Sequence, residues 1–479
     1  MAEKSKTIIV SRADAAETDE LKKFMGLYRP TWLIAAVVAF IVLAYYPGEF
    51  NADADICLRW VLDGVWNDWH TVSFLMFIKL CLALFKVPFM VTVVQAVCFV
   101  LVQNYAVSII WKTFQKKKLC MYYAIASVTI GFVAIRYISG FCKDITYFEA
   151  MFAFSLSVLE YLIAKQPQKR HYICMAVFGV LASFFRHGAI VPVICVYVAL
   201  LLYTLCRKAS EEAVWDKKKE LTRVGALFLM PIVANFLVIN VLAFGILNAE
   251  PSPGYFMYCV PTNIIGGMAY RACEAGEVID PEDQEMMERI MPIEEWAEGY
   301  VPYLSDGLAK KGASKLMEAE NRKKVILLNA HFLLKNPKSY LLTFFDVNSI
   351  VWEIARPFDG GEYTILSSPD YPEWGYMQKG SFYYASEKLN AYIMEVPIAV
   401  AILMRGGLSL FAMFVSMVIC VLKRSKKLWI PMLMVLVYCA LMMLSIQANV
   451  TRYIFCITQY AIFFSFITWN IPDNAKENH

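Results

Sequence analysis

A chain of 479 residues with 59% apolar and 18% charged side chains and a mean hydropathy of +0.50 is not an ordinary soluble domain, whose apolar share is roughly 45–50%. It reads as an all-α polytopic membrane protein lodged in a lipid bilayer. The formal net charge of +4 is too small for the strongly basic face a nucleic-acid partner needs, so no nucleic acid is expected.

Lys4, Lys6, Arg12, Lys22, Lys23 and Arg29 precede the first apolar run and no small-residue cleavage site is evident, which predicts an uncleaved first span with a cytoplasmic start. Apolar runs able to cross roughly 30 Å of hydrocarbon cover 31–47, 88–111, 119–138, 145–164, 224–248, 396–422, 428–446 and 453–470. The stretch 172–206, interrupted at Arg186-His187-Gly188, supplies two shorter crossings and brings the expectation to ten. The run 71–86 falls short of the ~20 residues of a span. If it crossed, the basic stretches 112–118, 165–170, 207–223 and 423–427 would no longer share a side with the N-terminus, so it is read as an interfacial helix with both termini cytoplasmic.

The resulting organisation is a transmembrane module over 1–248, with an outer loop at 48–70 and the interfacial helix at 71–86, then a mainly helical extracytoplasmic domain over 249–395, then transmembrane helices over 396–479. Within the outer domain, 281–298 and 315–334 have helical spacing, and 356–382 is crowded with Pro, Gly, Tyr and Asp, as in loops covering a surface. Most of the thirteen cysteines sit in apolar runs as small hydrophobes; Cys259 with Cys273 is the one candidate disulfide.

The chemistry concentrates in the first outer loop, where Glu49, Asp53, Asp55, Asp68, His70, Trp60, Trp66 and Trp69 crowd the membrane edge. A carboxylate there can take a proton from an attacking hydroxyl, and burial against indole rings is expected to raise its basicity. The bland alternative is a solvated loop carrying an aromatic belt. Arg136, Lys143, Arg186, His187 and Arg452 all fall near outer ends of spans, where a cation can grip a phosphate. Arg405 lies deeper among apolar residues, where a charge costs about 3 kcal/mol unless it meets something polar.

Pro47-Gly48 followed by Asp53, and Asn67-Asp68-Trp69-His70 opening an apolar helix, resemble the first periplasmic loop of the multi-spanning GT-C glycosyltransferases, closest to an uncharacterised bacterial branch. Lys143-Asp144, Arg186-His187-Gly188, Asn336-Pro337-Lys338-Ser339-Tyr340 and Arg452-Tyr453 extend the resemblance over most of the chain, while Thr71 stands where the family pattern usually has proline. The resemblance implies a GT-C-like fold in the bacterial cytoplasmic membrane and inverting transfer of a sugar from a polyprenyl-phosphate-linked donor to an extracytoplasmic glycan, lipid or protein acceptor. It implies Asp53 or Asp55 as general base, with spacing from Pro47-Gly48 favouring Asp53. Substrate would be held by Asp68, His70, Arg136, Lys143, Asp144, Arg186, His187, Arg452 and Tyr453.

No cofactor is indicated with certainty. A divalent metal is an open expectation, because some relatives hold one beside the acidic loop and Asp53, Asp55, Asp68 and His70 include hard oxygen ligands. There is no HExxH, Walker A loop or nucleophile elbow. Two other functions share the pattern: a flippase or secondary transporter of lipid-linked glycan, and a surface-polysaccharide polymerase or ligase.

Overall fold

The computed structural model describes residues 28–140, 142–164, 166–207, 216–355, 371 and 381–472. Among the described residues the regular structure is helical, and the extended pairings are three isolated bridges. The first half contains α1 (Arg29–Ala44), α2 (Ala52–Asp63), α3 (Val72–Phe85), α4 (Phe89–Phe114), α5 (Lys117–Thr129), α6 (Phe132–Tyr137), α7 (Lys143–Ile163), α8 (Lys169–Ala182), α9 (Ile190–Cys206) and α10 (Lys217–Phe236), the last running on as a π-helix over Leu237–Ile246. After short helices come α11 (Cys259–Ala275), then α12 (Ala319–Lys335), α13 (Pro337–Val347), α14 (Ser349–Trp352), α15 (Ser381–Glu395), α16 (Pro397–Leu403), α17 (Gly407–Leu422), α18 (Trp429–Ser445) and α19 (Phe455–Asn470).

Among the described residues four helical stretches are long and apolar enough to cross a membrane: Phe89–Phe114, Lys143–Ile163, Lys217–Ile246 and Lys426–Ser445. The pair α16–α17, bent by 53°, makes a fifth if taken as one span. The expected ten runs all form helix, but several are shorter than their apolar stretches. The run 119–138 breaks between α5 and α6 at Gly131, whose backbone lies directly against the side chain of Gln459. The break between α8 and α9 falls where Arg186-His187-Gly188 placed it.

α7 is the central helix. Apolar on nearly every side, it is buried along most of its length between α4, α8 and α18, as expected of a helix with no polar face. Large apolar side chains on outer helices, such as Trp32, Phe40, Leu229 and Phe236, point away from this core. In a chain this apolar, such side chains have the character of a lipid-facing surface. The candidate disulfide does not form: Cys259 and Cys273 are free and sit near opposite ends of α11, roughly 20 Å apart at 1.5 Å per residue and far beyond bridging reach. The 356–382 segment lies almost wholly outside the described residues.

Candidate functional site

Local capping and three backbone bridges bring distant loops to one end of the helical core. Asn51 caps α2 by accepting the Ala54 amide at 2.7 Å and reaches the Cys142 Sγ with its own amide at 3.4 Å. Asp53 therefore stands in the first turn of α2 beside the start of α7. Gln95 from α4 grips the same point: its Nε2 donates to the Cys142 carbonyl at 2.7 Å and its Oε1 accepts the Cys142 amide at 3.2 Å. Glu49 pairs with Gly140, Asn67 with Glu250, and Leu304 with Ala448 just ahead of Arg452.

Asp53, Lys143, Asp144, Arg186, Arg452, Tyr453 and His70 converge. Arg452 Nη1 is 2.8 Å from Asp53 Oδ2, and Lys143 Nζ is 3.7 Å from the same oxygen. Arg452 Nε lies 3.7 Å from Asp144 Oδ2, while Arg186 forms an ion pair with Asp144 Oδ1. The Tyr453 ring lies within 5.0 Å of the Arg452 guanidinium and 4.9 Å of Arg186, between two cation–π partners. Asp144 is almost fully buried and shared by two guanidiniums, so it organises cations rather than offering itself to a ligand.

Lys143 Nζ donates to His70 Nδ1 at 2.7 Å, which places the ring hydrogen on Nε2. Nε2 is buried and has no hydrogen-bond partner among the described residues. Burial, reinforced by the positive charge of Lys143, holds the His70 pKa well below its ordinary value. Asp53 departs from the sequence expectation. Burial does push its carboxyl upward, but Lys143 and Arg452 outweigh that and hold it well below the usual carboxylate range. Aromatic burial does not set its basicity; the two cations do.

Other expected site residues lie outside this cluster. Asp55, two positions along α2, turns away to Arg59 at 2.7 Å and to the Tyr371 hydroxyl at 3.0 Å. Arg136 forms a separate network with Glu49 at 2.5 Å and Glu387 at 2.8 Å, over the Tyr45 ring. Its charge is met by these two carboxylates, and the network stands apart from the cluster around Asp53. His187 Nε2 donates to the Asp68 carbonyl at 2.7 Å and buttresses the turn before α3. Burial raises the Asp68 pKa, partly offset by His187, and the carboxylate faces the Val72 amide at the start of α3. Asp68 thus stands just ahead of the helix, whose N-cap is Thr71, the residue found where the family pattern has proline. The Asn336–Tyr340 corner joins α12 to α13, and no described hydrogen bond or ion pair links it to the cluster. Arg405 is fully buried and meets Glu353, with Nη2 to Oε2 at 3.2 Å.

Asp53, Asp55, Asp68 and His70 do not assemble as ligands. Among the described residues no group of three or more His, Cys, Asp or Glu side chains can hold a metal ion, and the Asp53 oxygen that meets the cluster already faces two cations. The site does not fit a divalent metal. A cavity of about 100 Å³ adjoins the cluster, lined by Asp68, Thr71, Ser73, Arg186, His187 and Asn235 among others. Sequence reasoning missed the two holding residues, Asn51 and Gln95. Gln95 left a signal, an amide inside an otherwise apolar run, since such groups in spans commonly tie helices together.

Comparison with family models, with curated proteins and with solved structures gives no match for this chain.

Proposed function

We propose that the protein is a polyprenyl-phosphate-sugar-dependent glycosyltransferase of GT-C type, with Asp53 as general base and with Lys143, Arg186 and Arg452 meeting the donor phosphate. In this reading all ten apolar segments cross the bacterial cytoplasmic membrane, α3 lies in the interface, both termini are cytoplasmic, and the cluster faces outward. The observation that carries the proposal is the placement of one Asp53 oxygen between Lys143 Nζ and Arg452 Nη1. Three cations face two carboxylates there, which leaves a positive charge for an anion at the head of the bundle.

The reaction follows from that arrangement. A polyprenyl chain is soluble only in lipid, so its phosphate meets protein at the membrane edge. When the phosphate draws Lys143 and Arg452 to itself, Asp53 loses the neighbours that suppress its basicity and can accept the acceptor hydroxyl's proton. The hydroxyl oxygen attacks the anomeric carbon, the bond to phosphate oxygen breaks, and the configuration inverts in one displacement. The leaving phosphate carries the electron pair and is stabilised by the guanidiniums.

The test is release of polyprenyl phosphate from a radiolabelled polyprenyl-phosphate sugar by membranes containing the protein. Asp53→Asn is expected to lower turnover by about 10²–10⁴-fold, the range for loss of a general base, with Asp55→Asn close to wild type. Full turnover with Asp53→Asn moves the base elsewhere. No turnover of any such donor by the wild-type protein overturns the enzymatic reading.

A further inference from the structure

The pair α12–α13 carries an apolar surface that is exposed among the described residues. Both helices pack inward on α11: Val325, Leu328 and Phe332 of α12 and Thr343 and Val347 of α13 are buried, Asn329 donates to the Pro261 carbonyl at 3.1 Å, and Arg271 Nε donates to Thr343 Oγ1 at 3.1 Å. On the opposite side Ile326, Leu327, Leu333 and Leu334 of α12 and Leu341, Leu342 and Phe345 of α13 are exposed, Leu334 by 79%. One exposed leucine needs no explanation, but seven large apolar side chains on two consecutive helices do.

The chain's course identifies what covers them. α13 leads into α14, where Trp352 Nε1 donates to the Phe345 carbonyl at 2.8 Å and the two rings meet edge to face at 5.3 Å. α14 then abuts the bend of the apolar pair α16–α17: a Cβ at Gly406 would stand 2.6 Å from the Val351 carbonyl oxygen. The exposed face is thus continuous with helices that have the composition of a membrane span. Lys323 and Lys338 stand at the exposed edges of α12 and α13, where a cation can reach lipid phosphates, and an indole such as Trp352 suits the headgroup level.

We propose that α12–α13 lies in the plane of the bilayer interface, with its apolar face sunk into the lipid and its other face on α11. The 249–395 segment then does not stand clear of the membrane in water; this pair floats it on the lipid surface, at a depth of about 5–10 Å for the apolar side chains. The proposal is independent of sugar transfer.

The full-length protein in nanodiscs of phosphatidylethanolamine and phosphatidylglycerol tests it. Nitroxides are placed by Leu334→Cys and Leu342→Cys in a background carrying Cys206→Ser and Cys273→Ser, which removes the exposed cysteines among the described residues. Collision with oxygen is expected to exceed collision with a water-soluble nickel chelate, as at a lipid-facing reference made by Leu229→Cys, and the order to reverse at Val278→Cys, whose native side chain is 84% exposed. Readings at 334 and 342 that match those at 278 overturn the proposal. So does shielding from both reagents, the result if a second copy covers the face. A diazirine phospholipid with the unsubstituted protein provides the second measurement: peptides from 319–347 are expected to be labelled, and labelling of α10 without them overturns the proposal equally.

Discussion

Arg452 ties two helices that are far apart in the chain, with Nη1 2.8 Å from Asp53 on α2 and Nε 3.7 Å from Asp144 on α7. Asp144 also holds Arg186 from the loop between α8 and α9. One buried carboxylate therefore keeps two guanidiniums close without mutual repulsion. Replacing it by alanine takes from Arg186 the carboxylate it pairs with and leaves Arg452 to Asp53, in a poorly solvated site. Asp144→Ala is expected to lower stability by about 3–5 kcal/mol, the usual cost of stripping one partner from a buried ionic network, and Asp144→Asn by less because the amide oxygen still accepts hydrogen bonds. Thermal unfolding in detergent measures both, and equal melting temperatures for wild type and Asp144→Ala contradict the assignment.

The suppression of Asp53 basicity by Lys143 and Arg452 has a kinetic signature if Asp53 is the base. Its pKa is depressed in the free protein, so the acidic limb of kcat/KM lies below the ordinary carboxylate range. With phosphate bound and the cations diverted, the limb of kcat is expected at higher pH than that of kcat/KM. Lys143→Met removes one of the two charges and is expected to move the kcat/KM limb upward. A limb that stays put in Lys143→Met assigns the titration to another group.

Part of the cluster was legible in the sequence: the distribution of Lys and Arg among the loops put Asp53, Lys143, Arg186 and Arg452 on one expected side, and the described fold brings these four together. Pairings within that end were not legible. Residues 48–70 read as a loop, in which Asp53 and Asp55 both qualify as the acid and only spacing from Pro47-Gly48 favours Asp53; once Ala52–Asp63 is a helix, positions two apart point roughly 200° from each other and only one faces the cluster. The separate network of Arg136 could not be read because its partners, Glu49 and Glu387, are remote in sequence. The sign of the Asp53 shift was missed for the same reason, since apolar neighbours were visible in the loop and Arg452 was some four hundred residues away. Helix breaks such as that at Gly131 depend on a contact with Gln459, which hydropathy does not register.

His70 gives stability its own pH window. Burial and Lys143 depress its folded-state pKa well below the ordinary value, whereas the unfolded chain takes up a proton near about 6.5. The unfolded state then binds more protons below that pH, so the contribution of neutral His70 is fully present above about 6.5 and is lost as pH falls toward the folded-state pKa, by up to about 1.4 kcal/mol per pH unit. Asp53, also depressed, acts in a lower window, its contribution being present above about 3.9 and lost below it. Wild-type protein is expected to melt at lower temperature at pH 5 than at pH 7, and His70→Gln, which keeps an acceptor for Lys143 but does not titrate, to show a smaller difference. An equal pH dependence in the variant places the titrating group elsewhere.

The bend between α16 and α17 depends on close approach of α14, and two glycines separate that cause from helix propensity. A Cβ on Gly407 would stand 2.5 Å from the Trp352 carbonyl oxygen and 2.6 Å from the carbonyl carbon and oxygen of Glu353, whereas one on Gly225 in α10 meets nothing within 4 Å. The atoms facing Gly407 are backbone and cannot rotate away, so α14 must shift, and with it the Arg405–Glu353 pair that meets the charge buried beside the bend. Gly407→Ala is expected to cost about 1–3 kcal/mol, as overpacking does, and Gly225→Ala to gain about 0.5–1 kcal/mol from reduced backbone freedom. Melting temperatures that fall in the first variant and rise in the second match this account; a rise in both shows that the bend tolerates separation from α14.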